Sequence, residues 1–249
     1  MHFTSETRID DILVEREFTF DGISGVLWTP ASASHPSPLI LMGQPGGFSM
    51  RRMLPRLRAR ARSSAEQGLA AVAIEQPGAG DRPPVPGAAQ ARADLRRAIE
   101  AGEQPAEEVI DRVILPLVER AVPEWQRALD ELLTLPEIGD RAAFSGGVIS
   151  IGIRLAAIDP RIVAAGLFAG SYVPRTILDE ARRVTIPVHV LLQWDDEGND
   201  RQRALELFDA LGSTEKALHA NMGGHTGVPP HAGEDAGRFF VRHLWDSRR

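Results

Sequence analysis

Ala143-Phe144-Ser145-Gly146-Gly147 ends a short apolar run and opens onto the helical-looking stretch Val148-Ile149-Ser150-Ile151-Gly152-Ile153-Arg154-Leu155-Ala156-Ala157. A small residue two positions before a serine and a glycine two positions after it let the backbone turn sharply from strand into helix, which lifts the hydroxyl to the apex. Ser145 is therefore the candidate nucleophile. The glycine pair permits a second register, in which Gly146 or Gly147 holds the apex and Ser145 sits just before it. A plain turn is the third reading.

Outward from this stretch the chain alternates. Ile12 to Phe20 and Ile23 to Trp28, joined at Asp21-Gly22, read as an antiparallel hairpin. Leu39-Ile40-Leu41-Met42 and Leu69-Ala70-Ala71-Val72-Ala73-Ile74 are continuous apolar runs, the pattern of strands buried on both faces. Val163 to Phe168, Val188 to Trp194 and Ala217 to Ala220 supply further strands, with helical patterns between them and a terminal amphipathic helix at Asp235 to Trp245. Helices are also expected over Ala91 to Gly102, Ala106 to Ala121 and Glu124 to Thr134. The segment 82–122 is the candidate helical insertion or lid, with an ordinary crossover packed on the sheet as the alternative. Strands alternating with helices predict an α/β fold in a single domain, 1–249, built on a mostly parallel sheet of about eight strands with helices on both faces.

In an open parallel sheet the reactive groups gather beyond the carboxyl ends of the strands. Ser145, Asp196 and His225 each follow a predicted strand, in the order nucleophile, acid, histidine. A hydroxyl needs a base to take its proton, and the base needs an orienting acid. Asp195 competes with Asp196 for the acid's place, the other aspartate then bonding the turn. His225 lies between glycines, where packing does not account for it. Glu75, at the end of another strand, either lines the pocket or satisfies nearby N–H groups. The glycine-rich loop Gly43-Gln44-Pro45-Gly46-Gly47-Phe48 can aim free backbone N–H groups at one point.

These pieces together resemble the α/β-hydrolases, in particular the serine-containing relatives of the dienelactone hydrolases, from about Pro38 to Trp245. The resemblance rests on Leu41 to Gly47, on Ala143 to Gly147, on Gln193-Trp194-Asp195-Asp196-Glu197 and on Gly223-Gly224-His225-Thr226-Gly227-Val228-Pro229. It implies an α/β-hydrolase fold in which Ser145 attacks a carbonyl, His225 shuttles the proton and Asp196 holds the imidazole. The N–H of Gly146, with one from Gly46 or Gly47, would hold the oxyanion. Two departures stand out: Gln44-Pro45 replaces the more usual His-Gly at the substrate's approach, and Ala143 replaces a glycine. Gln44, Phe48 and Trp194 are the candidate pocket residues.

The expected function is that of a serine hydrolase cleaving a carboxylic ester, lactone or related acyl bond of a small molecule, with no cofactor. The alternatives are a non-hydrolytic cyclase or lyase of specialised metabolism and a catalytically silent binding protein. A net charge of −6 argues against nucleic acid as partner. The arginines between Arg51 and Arg62 read as a solvated helix face. No cysteine is present and no cluster has metal-ligand spacing, so no metal is expected. No stretch has the pattern of a signal peptide or membrane span, which predicts a cytoplasmic protein. Phe239, Phe240 and Trp245 on the terminal helix could pack on their own domain or on a second copy, as a homodimer.

Overall fold

The computed structural model describes residues 1–170 and 172–245. Nine strands form one sheet in the order β1-β2-β3-β5-β4-β6-β7-β8-β9: β1 His2–Arg8, β2 Leu13–Phe20, β3 Ile23–Pro30, β4 Ser37–Gly43, β5 Ala70–Ile74, β6 Ile138–Gly146, β7 Ile162–Phe168, β8 Val188–Gln193 and β9 Lys216–Asn221. The first three strands are antiparallel, β3 also runs antiparallel to β5, and from β5 to β9 every pairing is parallel. The sequence predicts about eight strands; the extra one is β1, an edge strand whose side chains are almost all exposed, so it carries no apolar alternation to announce it.

Among the described residues seven helices cover the sheet: α1 Met50–Ala65, α2 Ala88–Glu100, α3 Glu107–Leu132, α4 Ile149–Ile158, α5 Arg175–Ala181, α6 Arg201–Ala210 and α7 Pro230–Trp245. Strand side chains alternate between faces. Ala142 and Phe144 of β6 join Val118, Leu129, Ile153 and Leu207 in the core under α3 to α6, whereas Ala143 joins Leu57, Phe240 and Leu244 in the core under α1 and α7. Helices thus lie on both faces, as the alternation predicts.

Two helices expected at Ala106 to Ala121 and Glu124 to Thr134 are one, α3, which continues through Pro116 and Pro123. A proline inside a helix removes one backbone bond. Here the buried stripe Ile110, Ile114, Leu117, Val118, Ala121, Trp125 and Leu129 holds the axis together across both prolines. Within 82–122, α3 packs into the sheet core. By contrast α2 buries only Ala88 and Ala91 and lies on α3. No helix among the described residues is long and apolar enough to cross a membrane.

Candidate active site

The acid turn and the histidine loop are bound to each other by three sets of contacts. Asp196, almost fully buried at the end of β8, places Oδ2 2.7 Å from His225 Nδ1, while its Oδ1 accepts from the N–H of Gly198 at 3.0 Å. Asp195 accepts from the N–H groups of Gly223 and Gly224 at 2.9 Å each, and these bonds hold its carboxyl below the usual carboxylate range. Gln193 Nε2 donates to Gly224 O at 2.8 Å. The two aspartates thus divide the work, one on the imidazole and one on the loop that carries it. A Cβ on Gly223 would stand 2.4 Å from Gly227 O, so the loop closes on itself only with glycine there. Phe168, at the end of β7, meets the His225 ring edge to face at 5.5 Å.

Ser145 and Gly146 are the last two residues of β6, paired with Met42 and Gly43 of β4. The backbone leaves the strand through Gly146 at φ 74° and Gly147 at φ 69°, and α4 begins at Ile149. Glycines therefore occupy the turn. Ser145 stands one position before it, half-buried, with its side chain on the α1 face of the sheet. Its Oγ and its carbonyl O both accept from Arg60 Nη2, at 2.9 and 3.0 Å. Among the described residues Arg60 is the hydrogen-bond partner of this hydroxyl, and His225 is not bonded to it.

The turn is pressed against the loop after β4. A Cβ on Gly147 would lie 2.5 Å from Gly43 C, and one on Gly43 would lie 2.7 Å from Gly146 O. Gly46 stands at the cavity described below, and Gly47, at φ 85°, lies against Arg92 of α2. Glu75 accepts from the N–H of Met50 at 2.9 Å, which is the backbone-satisfying role; burial raises its pKa. Gln44 is buried, donating to Ile74 O at 2.8 Å while its own carbonyl accepts from Gln76 Nε2 at 2.7 Å. Phe48 lies under the Arg52 guanidinium and Trp194 under that of Arg201.

A cavity of about 510 Å³ opens between the sheet and helices α1 and α7, and Ser145, Gly146, Gly147, Gly46 and His225 all line it. Gln44, Phe48 and Trp194 do not. Two arginines that read as solvated do: Arg56 and Arg60. Arg60 lies three residues after Leu57 and next to Ala61, both buried, which sets it on the inward stripe of α1; that helical spacing was the available signal. Burial first, and the neighbouring Arg56 charge second, bring its pKa down to about 10, so it remains a cation at neutral pH. His189 of β8 also lines the cavity, and burial together with the nearby His219 lowers its pKa to about 4. Among the described residues no group of three or more metal-ligating side chains stands together.

No family model and no curated protein matches the chain. Solved structures do. A cold-adapted esterase from an Arctic intertidal metagenomic library is 27% identical, with TM-score 0.75 over 98% of this chain and all of its own. Acetyl xylan esterase 1 from a Thermoanaerobacterium species is 14% identical, with TM-score 0.62 over 97% of this chain and 87% of its own. A Klebsiella pneumoniae structure assigned to the dienelactone hydrolases is 15% identical, with TM-score 0.64 over 94% and 98%. With its mixed nine-stranded sheet and near full-length likeness to esterases, the chain has the fold of the α/β-hydrolases.

Proposed function

We propose that the chain hydrolyses a carboxylic ester, lactone or related acyl bond, with His225 as proton-transfer base and Asp196 as the residue that orients it. The observation that carries this reading is the 2.7 Å contact between His225 Nδ1 and Asp196 Oδ2, beside a cavity shared with Ser145 and the Gly146-Gly147 turn. A proton on Nδ1 facing Asp196 leaves the Nε2 lone pair for the nucleophile. In the serine route, Ser145 gives its proton to Nε2 and attacks the acyl carbon. The N–H of Gly146, with Gly46 or Gly47, holds the oxyanion. The alcohol leaves with the proton from His225, and water then releases the acid from the acyl-enzyme by the same base. This route has Arg60 yield the hydroxyl as it attacks.

A second reading is favoured by the glycines at the turn and by the bond from Arg60 to Ser145. Here His225 takes the proton of a water that attacks the carbonyl directly, with no acyl-enzyme. Intact mass after fluorophosphonate treatment, alongside ester and lactone turnover, separates the routes. An adduct that disappears in both Ser145→Ala and His225→Ala supports the serine route. Turnover that requires His225 but yields no adduct supports the water route. A folded protein that turns over neither esters nor lactones overturns the hydrolase reading and leaves cyclase, lyase or binding chemistry.

A further inference from the structure

Several half-buried arginines in this protein are held by carboxylates. Arg82 donates to Glu124, Arg154 to Glu180, Arg161 to Asp159 and Arg16 to Glu137. Arg60, like Arg92 of α2, is not: neither Arg60 nor Arg56 forms an ion pair among the described residues. The two like charges stand four residues apart on one helix face, near enough for Arg56 to weaken the proton affinity of Arg60. Arginine is rarely enclosed by protein without a partner, because desolvation of the cation goes uncompensated.

What Arg60 faces is the cavity. Its Nη2 is spent on Ser145, while Nε and Nη1 find no protein acceptor among the described residues. The guanidinium spreads beside the turn, with Nη2 3.2 Å and Nη1 3.5 Å from where a Cβ on Gly146 would be. Among the described residues none that lines the cavity is acidic, in a chain whose net charge is −6. His189 adds a second unspent group: it is 4% exposed, and its buried Nε2 has no hydrogen-bond partner. The remaining wall is apolar, through Met53, Leu57, Phe168, Leu191, Val228 and Phe240. A volume of about 510 Å³ is that of a small-molecule site.

We propose that this cavity is a carboxylate-recognition site, which takes a carboxylate on an apolar body with Arg60 as the anchoring cation and Arg56 as a second cation beside it. The planar fork of a guanidinium matches the two oxygens of a carboxylate, and the apolar wall suits a ligand charged at one end. The carboxylate has two sources under the hydrolase reading, on which this assignment of substrate class rests: the free acid end of a half-ester substrate, or the acid released by cleavage.

Calorimetric titration of the full chain with octanoate and with octanol tests the site without turnover. The expected result is that octanoate binds more tightly than octanol, that Arg60→Met weakens octanoate about tenfold or more, and that octanol is unaffected by the change. Arg56→Met, which removes an exposed side chain, is expected to weaken octanoate to a smaller extent and serves if Arg60→Met does not fold. Octanoate binding no tighter than octanol, or unchanged in both arginine variants, overturns the proposal. Octanoate binding in a protein that cleaves no ester leaves the site standing and removes the hydrolase reading; ester cleavage without preference for octanoate over octanol does the reverse. Turnover of monomethyl suberate in preference to methyl octanoate, lost in Arg60→Met, identifies the half-ester as the source. Competitive inhibition of methyl octanoate cleavage by octanoate identifies the product.

Discussion

His225 and Asp196 stand 2.7 Å apart although 29 residues separate them in the chain. Replacing Asp196 by Asn keeps the shape and removes the charge that, in the proposed hydrolase reaction, orients and stabilises the imidazolium. Steady-state kinetics on any ester the protein cleaves is expected to show kcat reduced by roughly 10²–10⁴-fold, with KM little changed. Gly147 invites a stability measurement instead: with φ at 69° and Gly43 C 2.5 Å from its absent Cβ, Gly147→Ala is expected to cost about 1–3 kcal/mol in urea denaturation. Gly224→Ala, at a similar φ of 62° but with nothing within 4 Å, is expected to cost about 1 kcal/mol. That His225 and Asp196 meet was legible in the sequence because each follows an apolar strand and parallel strands gather such positions at one edge. Arg60 was not, because charge on a helix is read as outward unless its register against Leu57 and Ala61 is followed.

Helix α1 is fixed to the antiparallel end of the sheet by two carboxylates, Asp10 between β1 and β2, which accepts from Arg62, and Glu15. Glu15 of β2, itself buried, accepts from Trp28 Nε1 of β3 at 2.7 Å and from Arg58 of α1 at 2.7 and 2.8 Å. Burial alone would raise its pKa, but the bonds from Arg58 and Trp28 and the Arg58 charge outweigh it and hold the carboxyl below its ordinary value. A carboxyl so lowered contributes stability above its unfolded pKa and loses it as pH falls through the folded one. Glu15→Gln is expected to lower stability at neutral pH by roughly 1–3 kcal/mol, with the gap to the unaltered protein closing in acid, as denaturant titrations across pH would record. At this scale the strands were the most legible elements, since β4 and β5 are unbroken apolar runs. The sequence reading divides helix α3 in two between Ala121 and Glu124, whereas tertiary burial carries the helix through Pro123.

Across the whole molecule, acid is expected to act first through the region joining β8, β9 and α7. His189 stacks on His219 at 4.4 Å and on Phe239 at 5.5 Å, and the negative charge of Asp235 only partly offsets the burial and the His219 charge that keep it neutral. With its pKa about 4 when folded against 6.5 unfolded, the unfolded chain binds more protons between those values, so stability is complete above pH 6.5 and declines toward pH 4. His189→Phe is expected to flatten that decline, by roughly 3 kcal/mol at most, in melts recorded from pH 7 to pH 4. The overall architecture could be read from alternating strands and helices, but the cavity could not, because its wall draws on α1, β6, β8 and α7, which meet only after folding. The nearness of Arg60 to the vacant Cβ position on Gly146 also bears on descent. A lineage gaining a side chain at that glycine would meet the strain of its φ of 74° as well as the tip of the arginine, so loss of the arginine alone would not open the turn. The turn therefore keeps its glycine whether or not the arginine persists, and descendants without Arg60 should still carry glycine there.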